Sequence, residues 1–290
     1  MSSSNRLGGL TWKELGRRSW KQFRFEHVKD QSATLSFYFL LAIFPLLLIL
    51  IDFLGLLSQS GPVLQQSMHK YLARLAPSAA SGLVDNTISE VTHGFGAITF
   101  SIQLLFAWLP ASQGVMAVID GLNRAYGVTD SRKWWRKYLA ACGLTVLSLL
   151  LLATGLLILI FGGYASGILG NISGHRTMVS GIWKVMDWAI FIGLVFFAFN
   201  VLYIYGPAVK HRRWRWFMPG TVVGVSIWLF VSFAFKVYLH YLDYYSHTYG
   251  SIGAVIILIL WFFFLGISIL SGAVVNSEIE KAAGTLRGVE

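Results

Sequence analysis

Six long runs of apolar residues, separated by polar connections, dominate this chain, and about 20 such residues are what an α-helix needs to cross a bilayer. They lie at 35–58, 97–119, 139–163, 183–206, 217–240 and 252–276. Trp and Tyr residues flank the runs, because aromatic rings settle at membrane–water interfaces, so each boundary is soft by about two to four residues. The pattern predicts an all-α polytopic membrane protein in three parts: a basic amphipathic segment at 1–33, a six-helix transmembrane domain at 34–280 and a tail at 281–290.

Two polar stretches carry helical patterning of their own. Before the first run, Lys13, Arg17, Lys21 and Arg24 recur at helical spacing, while Trp12, Gly16, Ser19, Trp20 and Phe23 fall on another face. This predicts an interfacial helix whose basic stripe meets anionic headgroups and whose aromatic face meets the acyl boundary, with a partner-binding face as the alternative. Between the first two runs, Val63, Leu64, Met68, Tyr71, Leu72 and Leu75, then Leu83, Val84, Ile88 and Val91, are spaced as two short helices broken at Pro77-Ser78. An outer helical hairpin between helices 1 and 2 is expected there, against the alternative of a mobile interfacial loop.

Charge sets the orientation. The N-terminal segment, the connections after the second and fourth runs and the tail together hold eighteen Lys and Arg residues, whereas the opposite side holds only Lys70, Arg74, Arg176 and Lys184. Because Lys and Arg resist translocation, both termini are expected in the cytoplasm. With 12% charged residues against 56% hydrophobic ones, the chain is far from a soluble composition. Cys142 is the single cysteine, which excludes an intramolecular disulfide and a cysteine-based metal cluster. Met1 to Arg24 lacks the apolar core of a cleaved signal, so the first run is expected to direct insertion. No internal repeat of the kind common in secondary transporters is evident.

Several local motifs then point to a family. They are Ala33-Thr-Leu-Ser-Phe-Tyr-Phe-Leu-Leu-Ala-Ile-Phe-Pro45-Leu-Leu, Leu122-Asn123-Arg124-Ala125-Tyr126-Gly127, Leu202-Tyr203-Ile204-Tyr205-Gly206-Pro207, Tyr249-Gly250-Ser251-Ile252-Gly253-Ala254, Trp261 and Gly272-Ala273. In this order, over about Ala33 to Asn276, the chain resembles the YihY/BrkB family of bacterial membrane proteins. The resemblance implies a six-span protein of the bacterial cytoplasmic (inner) membrane with undetermined biochemistry, some relatives being linked to virulence or serum resistance. Relatives were once labelled ribonuclease BN. That activity is not expected: metal-dependent RNA hydrolysis needs clustered His and carboxylate ligands, and His27, His69, His93, His175, His211, His240 and His247 are scattered without ligand spacing. The family often has Gly-Ala-Glu near the inner end of span six, whereas here Val274 follows Gly272-Ala273 and Glu278 comes one turn later.

Polar side chains inside the runs are the candidate functional residues, since burial in hydrocarbon is costly unless they are paired or hydrated. Asp52, Asp187 and Lys236 lie toward the outer ends of their runs. Lys236 is expected either to pair with one of the aspartates in a polar cavity or, the simpler account, to snorkel to the headgroups. Gln103, Gln113 and Asn200 are deeper; helix–helix hydrogen bonding is the simpler reading and substrate contact the alternative. Pro45 and Pro110 each delete a backbone hydrogen bond and are candidate kinks. On the cytoplasmic side, Arg124, Arg132, Lys133, Arg136 and Lys137 lie near Trp134, Trp135 and Tyr138, and Lys210, Arg212, Arg213 and Arg215 lie beside Trp214 and Trp216. Such belts next to a span are candidate contacts for anionic lipid headgroups, in preference to single-stranded nucleic acid.

These features favour a transporter or translocation factor for an amphipathic or anionic envelope component. The alternative is a non-transporting scaffold or assembly factor for envelope biogenesis. No Gly-x-x-x-x-Gly-Lys-Ser/Thr loop is present, so an ATP-driven pump is not expected. The expected partners are membrane lipids, with anionic headgroups on the cytoplasmic side and an envelope-biogenesis protein as a further candidate; no cofactor, metal site, nucleic acid or enzymatic role is expected.

Overall fold

A computed structural model describes residues 9–25, 27–58, 97–173, 176–209, 218–241 and 243–284. Every regular element among them is an α-helix: α1 (Trp12–Phe25), α2 (Val28–Ser58), α3 (Ala97–Tyr126), α4 (Trp134–Ser173), α5 (Arg176–Tyr205), α6 (Pro219–Tyr241) and α7 (Asp243–Ala282). The six apolar runs coincide with α2 to α7, and the interfacial segment with α1. Among the described residues, four stretches are long and apolar enough to cross a membrane: Trp134–Gly155, Gly181–Tyr205, Pro219–Tyr238 and Val255–Ala282. The expected hairpin at 60–94 and the cluster at Lys210, Arg212, Arg213 and Arg215 lie outside the described residues.

Several helices outrun their apolar cores, because their polar ends are still packed. The end of α3 continues through buried Ile119, Leu122, Ala125 and Tyr126, well past the last residue of the apolar run. Gly127 then stops it with a left-handed φ of 65°, which glycine adopts without a Cβ clash. The Val128 and Gly127 amides donate back to the Asn123 and Arg124 carbonyls, the two bonds of a Schellman cap. The start of α1 is closed reciprocally. Thr11 Oγ1 accepts from the Glu14 amide at 3.3 Å, and the Glu14 carboxylate accepts from the Thr11 amide at 3.2 Å, forming a capping box.

The described chain divides into two compact units. One holds residues 1–41, 112–147 and 195–290; the other holds 42–111 and 148–194, so α2 to α5 each contribute to both. Of the described Lys and Arg residues, only Arg176 and Lys184 belong to the second unit. In that unit, Gly155 of α4 faces Leu194 and Phe191 of α5.

The first unit is built around the C-terminal half of α7, where residues 268–270 and 272–279 are all buried. Such a helix end, covered all round, is a central strut. Its Ile269, Leu270, Ala273 and Val274 join Leu35 of α2, Val118 and Leu122 of α3, Phe199 and Tyr203 of α5 and Val225 of α6 in one apolar core. Leu10 and Leu15 dock α1 onto Val275 and Ile279. Ile119, Ala141, Leu144 and Val201 join α3, α4 and α5. Large apolar side chains elsewhere, including Phe230 at 71%, Phe233 at 66% and Leu139 at 60%, stay exposed, the surface that a lipid solvent requires.

The tightest approach is between α6 and α7. A Cβ built on Gly220 would strike the Gly272 carbonyl oxygen, and one on Gly272 would strike Gly220 O and the Tyr203 hydroxyl. Small residues at this spacing (Gly220 with Gly224; Ser268, Gly272 and Asn276) let helix backbones approach where lipid supplies no hydrophobic drive for association. Tyr203 is wholly buried, and its hydroxyl donates to the Ile269 carbonyl at 2.8 Å. The Asn276 side-chain oxygen accepts from the Gly220 amide at 2.8 Å, satisfying an otherwise orphaned donor in the first turn of α6. Gly220→Ala is therefore expected to destabilise the protein by about 1–3 kcal/mol, because the obstructing atom is backbone and has no rotamer in which to retreat. Gly143→Ala, where nothing lies within 4 Å, leaves the melting midpoint in detergent unchanged or slightly raised.

Candidate functional site

The residues following α3 form a polar knot. Asp130 accepts from the Arg132 amide, from Arg132 Nε at 2.9 Å and from its terminal nitrogen at 2.8 Å. The same terminal nitrogen donates to the Gly206 carbonyl at 3.0 Å, tying this loop to the end of α5. Asn123, nearly fully buried, donates to Asp130 at 3.1 Å and accepts from the Ala208 amide at 2.7 Å. Asn123, Tyr126-Gly127 and Gly206 thus meet for an architectural reason. Each satisfies or permits a backbone turn where helices end.

A second junction secures α1. Gln22 donates to the Ala125 carbonyl at 3.0 Å and accepts from Lys281 at 2.8 Å, and Lys281 also reaches Glu278 at 3.3 Å. Val274 and Glu278 are both buried on α7, so the carboxylate does lie one turn along a covered face. The rest of α1 projects Trp12 and Trp20 outward, at 69% and 65% exposure, with Lys13, Arg17, Lys21 and Arg24 also exposed.

Beside these junctions, in the same unit, α2, α3 and α4 line a half-open recess of about 260 Å³ with mostly polar residues around it. Its wall consists of Gln31, Thr34 and Tyr38 from α2, Gln113, Met116, Ala117, Asp120 and Arg124 from α3, and Lys137 from α4. Helical spacing explains the grouping: 31, 34 and 38 share one face of α2, and 113, 116, 117, 120 and 124 share one face of α3. Gly114 brings the two helices together, a Cβ there lying 3.7 Å from the Phe39 ring. Lys137 Nζ is ion-paired with Asp120, whose side chain keeps 46% exposure. Arg124 has no carboxylate partner among the described residues, and its exposed side chain lines the recess.

The structure thus brings three of the sequence-predicted residues together: Gln113, Arg124 and Lys137. Arg132 is instead a bridging group, and Lys133 and Arg136 are exposed, the Arg136 guanidinium standing 5.1 Å from the Trp135 ring centroid. Asn200 is buried and accepts from the Thr221 hydroxyl at 3.3 Å, a bond between α5 and α6. Lys236 is exposed on α6 in the first unit; Asp52 on α2 and half-buried Asp187 on α5 belong to the second. The Gln103 and Asp52 side chains lie outside the described residues, and Pro45 and Pro110 sit within unbroken α2 and α3. Sequence reasoning missed Gln31, Thr34, Tyr38 and Asp120. The legible signal was the polar i, i+3, i+7 stripe at the start of α2, which counting charges alone passes over. Among the described residues, no three His, Cys, Asp or Glu side chains are grouped to hold a metal.

The hydrogen bonds from Arg132 hold the Asp130 carboxyl below the usual carboxylate range, outweighing the opposing effect of partial burial. A depressed folded value means that the knot's contribution is present above the unfolded carboxyl value of about 4 and is lost as pH falls through the lower folded value. Hydrogen exchange at the Arg132 amide, corrected for intrinsic rate, is expected to stay protected down to about pH 4 and to open below it. In Asp130→Asn the same amide opens at neutral pH, and the acid transition disappears.

A profile for the family described as Virulence factor BrkB matches residues 19–288. The "Putative ribonuclease-like protein YfkH" of Bacillus subtilis is 27% identical over 262 residues, covering 90% of this chain and 94% of that protein. A UPF0761 membrane protein of Paraburkholderia xenovorans is 24% identical over 74% of this chain, which spans only 48% of that longer relative. Another, from Idiomarina loihiensis, is 24% identical over 72% of this chain and 70% of its own length. No solved structure gives a significant match. With almost its whole described length inside the family match and its helices apolar on their outer faces, the chain is a membrane protein that belongs to the Virulence factor BrkB family.

Proposed function

We propose that this protein moves an amphipathic or anionic envelope component across the bacterial inner membrane, through six spans with both termini in the cytoplasm, and that it is not an enzyme. The observation that carries the reading is the polar recess lined by Gln113, Arg124 and Lys137, with exposed apolar residues such as Leu139 and Val146 farther along α4. A polar hollow beside lipid-facing surface admits a polar headgroup while leaving an apolar tail in the bilayer. Orientation is supported by the segregation of basic residues: apart from Arg176 and Lys184, every described Lys and Arg belongs to the unit that contains the recess. The non-enzymatic reading is supported by the engagement of nearby carboxylates, since Asp120 and Asp130 are ion-paired with Lys137 and Arg132 rather than converging on a shared point.

Purified protein reconstituted in liposomes is expected to accelerate movement of fluorescent anionic lipid between leaflets. A charge-assisted contact worth roughly 1.5–3 kcal/mol predicts a loss of about ten- to hundredfold in initial rate for Arg124→Gln combined with Gln113→Leu. Flux indistinguishable from protein-free vesicles, together with a stable copurifying partner, overturns transport in favour of a scaffold. Epitope tags within 60–94 are expected to be reachable from the outside of intact cells, and tags within 128–133 only after permeabilisation; the reverse pattern removes the topology.

A further inference from the structure

The recess has a charge signature that narrows its ligand. Two cations, Arg124 and Lys137, and one carboxylate, Asp120, line it, giving a net charge of plus one with neutral Gln31, Thr34, Tyr38 and Gln113 around them. We infer that the recess is a phosphodiester site that selects a monoanionic lipid headgroup over a phosphomonoester, with Asp120 as the residue that sets this choice. This deepens the translocation reading and rests on the same recess.

Three observations carry it. Size comes first. A hollow of about 260 Å³ lies below the range of roughly 300–1,000 Å³ typical of sites that swallow a whole drug-sized ligand, so it suits a headgroup whose remainder stays outside. The second is donor chemistry. Arg124 offers a planar fork with no carboxylate partner among the described residues, the geometry that matches two phosphate oxygens, while the glutamines, Thr34 and Tyr38 supply neutral donors for a polar substituent. The third is the character of α2 next to the lining. On α2 the face bearing Gln31, Thr34 and Tyr38 continues at the same helical spacing to Leu41, which is 45% exposed, and Phe37 beside it is 57% exposed. Past the recess, α2 therefore exposes apolar side chains in place of polar ones, as a headgroup joined to an acyl chain requires.

Asp120 supplies the discrimination. It already neutralises Lys137, and its carboxylate remains half-exposed to the recess. One negative charge on the ligand balances the remaining cation. A phosphomonoester, carrying about −1.5 to −2 at neutral pH, brings a second charge toward the carboxylate with no further cation to meet it.

The test uses full-length protein in phosphatidylcholine nanodiscs doped with either phosphatidylglycerol, a diester, or phosphatidic acid, a monoester, with lipid retention read by native mass spectrometry. The wild type is expected to retain phosphatidylglycerol at least about tenfold over phosphatidic acid, since like-charge contacts in a confined site are strongly disfavoured. Asp120→Asn should narrow or reverse that ratio, Arg124→Gln should lower retention of both lipids, and Thr129→Ala, exposed outside the recess, should change neither. Helical circular dichroism verifies that each variant is folded; Arg124→Gln breaks no ion pair among the described residues, so it tests the site even if Asp120→Asn is unstable. Equal retention of the two anionic lipids by folded wild type, or selectivity untouched by both recess variants, overturns the inference. Glycerophosphoglycerol and inorganic phosphate are added as soluble competitors. Displacement of phosphatidylglycerol by the soluble diester at equal concentration overturns the lipid source while supporting phosphodiester chemistry, and displacement by phosphate overturns the chemistry itself. Selective retention without liposome flux removes translocation and leaves the site standing, whereas flux without headgroup selectivity does the opposite.

Discussion

Helices in lipid gain little from hiding oil, so what holds this protein together is the close approach of polar backbone and small residues, and that approach is greatest where α6 meets α7. Gly220 and Gly272 leave room for each other's carbonyls, Tyr203 fills the adjoining space and donates to Ile269, and Asn276 completes the hydrogen bonding of the first turn of α6. With α7 fixed, its buried second half becomes the surface onto which α1, α2, α3 and α5 are laid. Removing space at Gly220 would therefore disturb more than one helix pair.

The family motifs acquire a physical meaning from this arrangement. Asn123, Gly127 and Gly206 terminate helices and bind neighbouring turns together, and Gly272 is a contact point for Tyr203. None of these residues lines the recess. These motif residues build the frame, and the recess takes Thr34 and Tyr38 from the Ala33–Leu47 motif, Arg124 from the Leu122–Gly127 motif and its other residues from outside the motifs. Arg124 has both roles within one motif: the Schellman cap that ends α3 fixes the backbone from which its guanidinium projects into the recess.

The N-terminal helix α1 has a similar double character. Its Leu15 and Gln22 hold it to α7 and α3, while Trp12 and Trp20 remain outward with the basic stripe. Around the helix the order is packing face, aromatic face, basic face, so the side turned away from the core presents rings and cations next to each other. Partner binding and membrane anchoring compete for the same exposed face, but Trp12 and Trp20 beside lysines and arginines suit the lipid interface by composition.

Hydropathy alone was enough to place α2 to α7, because in a bilayer a long apolar run has no alternative to a helix that satisfies its own backbone. The basic surplus was equally legible, and the spacing of Lys13, Arg17, Lys21 and Arg24 announced α1. The residues of the recess were harder. Charge counting singled out Arg124 and Lys137 but not Asp120, whose importance lies in standing opposite Lys137 from another helix, seventeen residues away along the chain. For Arg132, a candidate lipid contact, it gave no sign that the guanidinium would also be engaged by Asp130 and Gly206. The Gly220-x-x-x-Gly224 spacing was present to be read, yet which helix it would face was not. Periodicity describes one helix and its own faces; which faces meet depends on the rotation and register of separate helices, and only packing among side chains distant in sequence decides those.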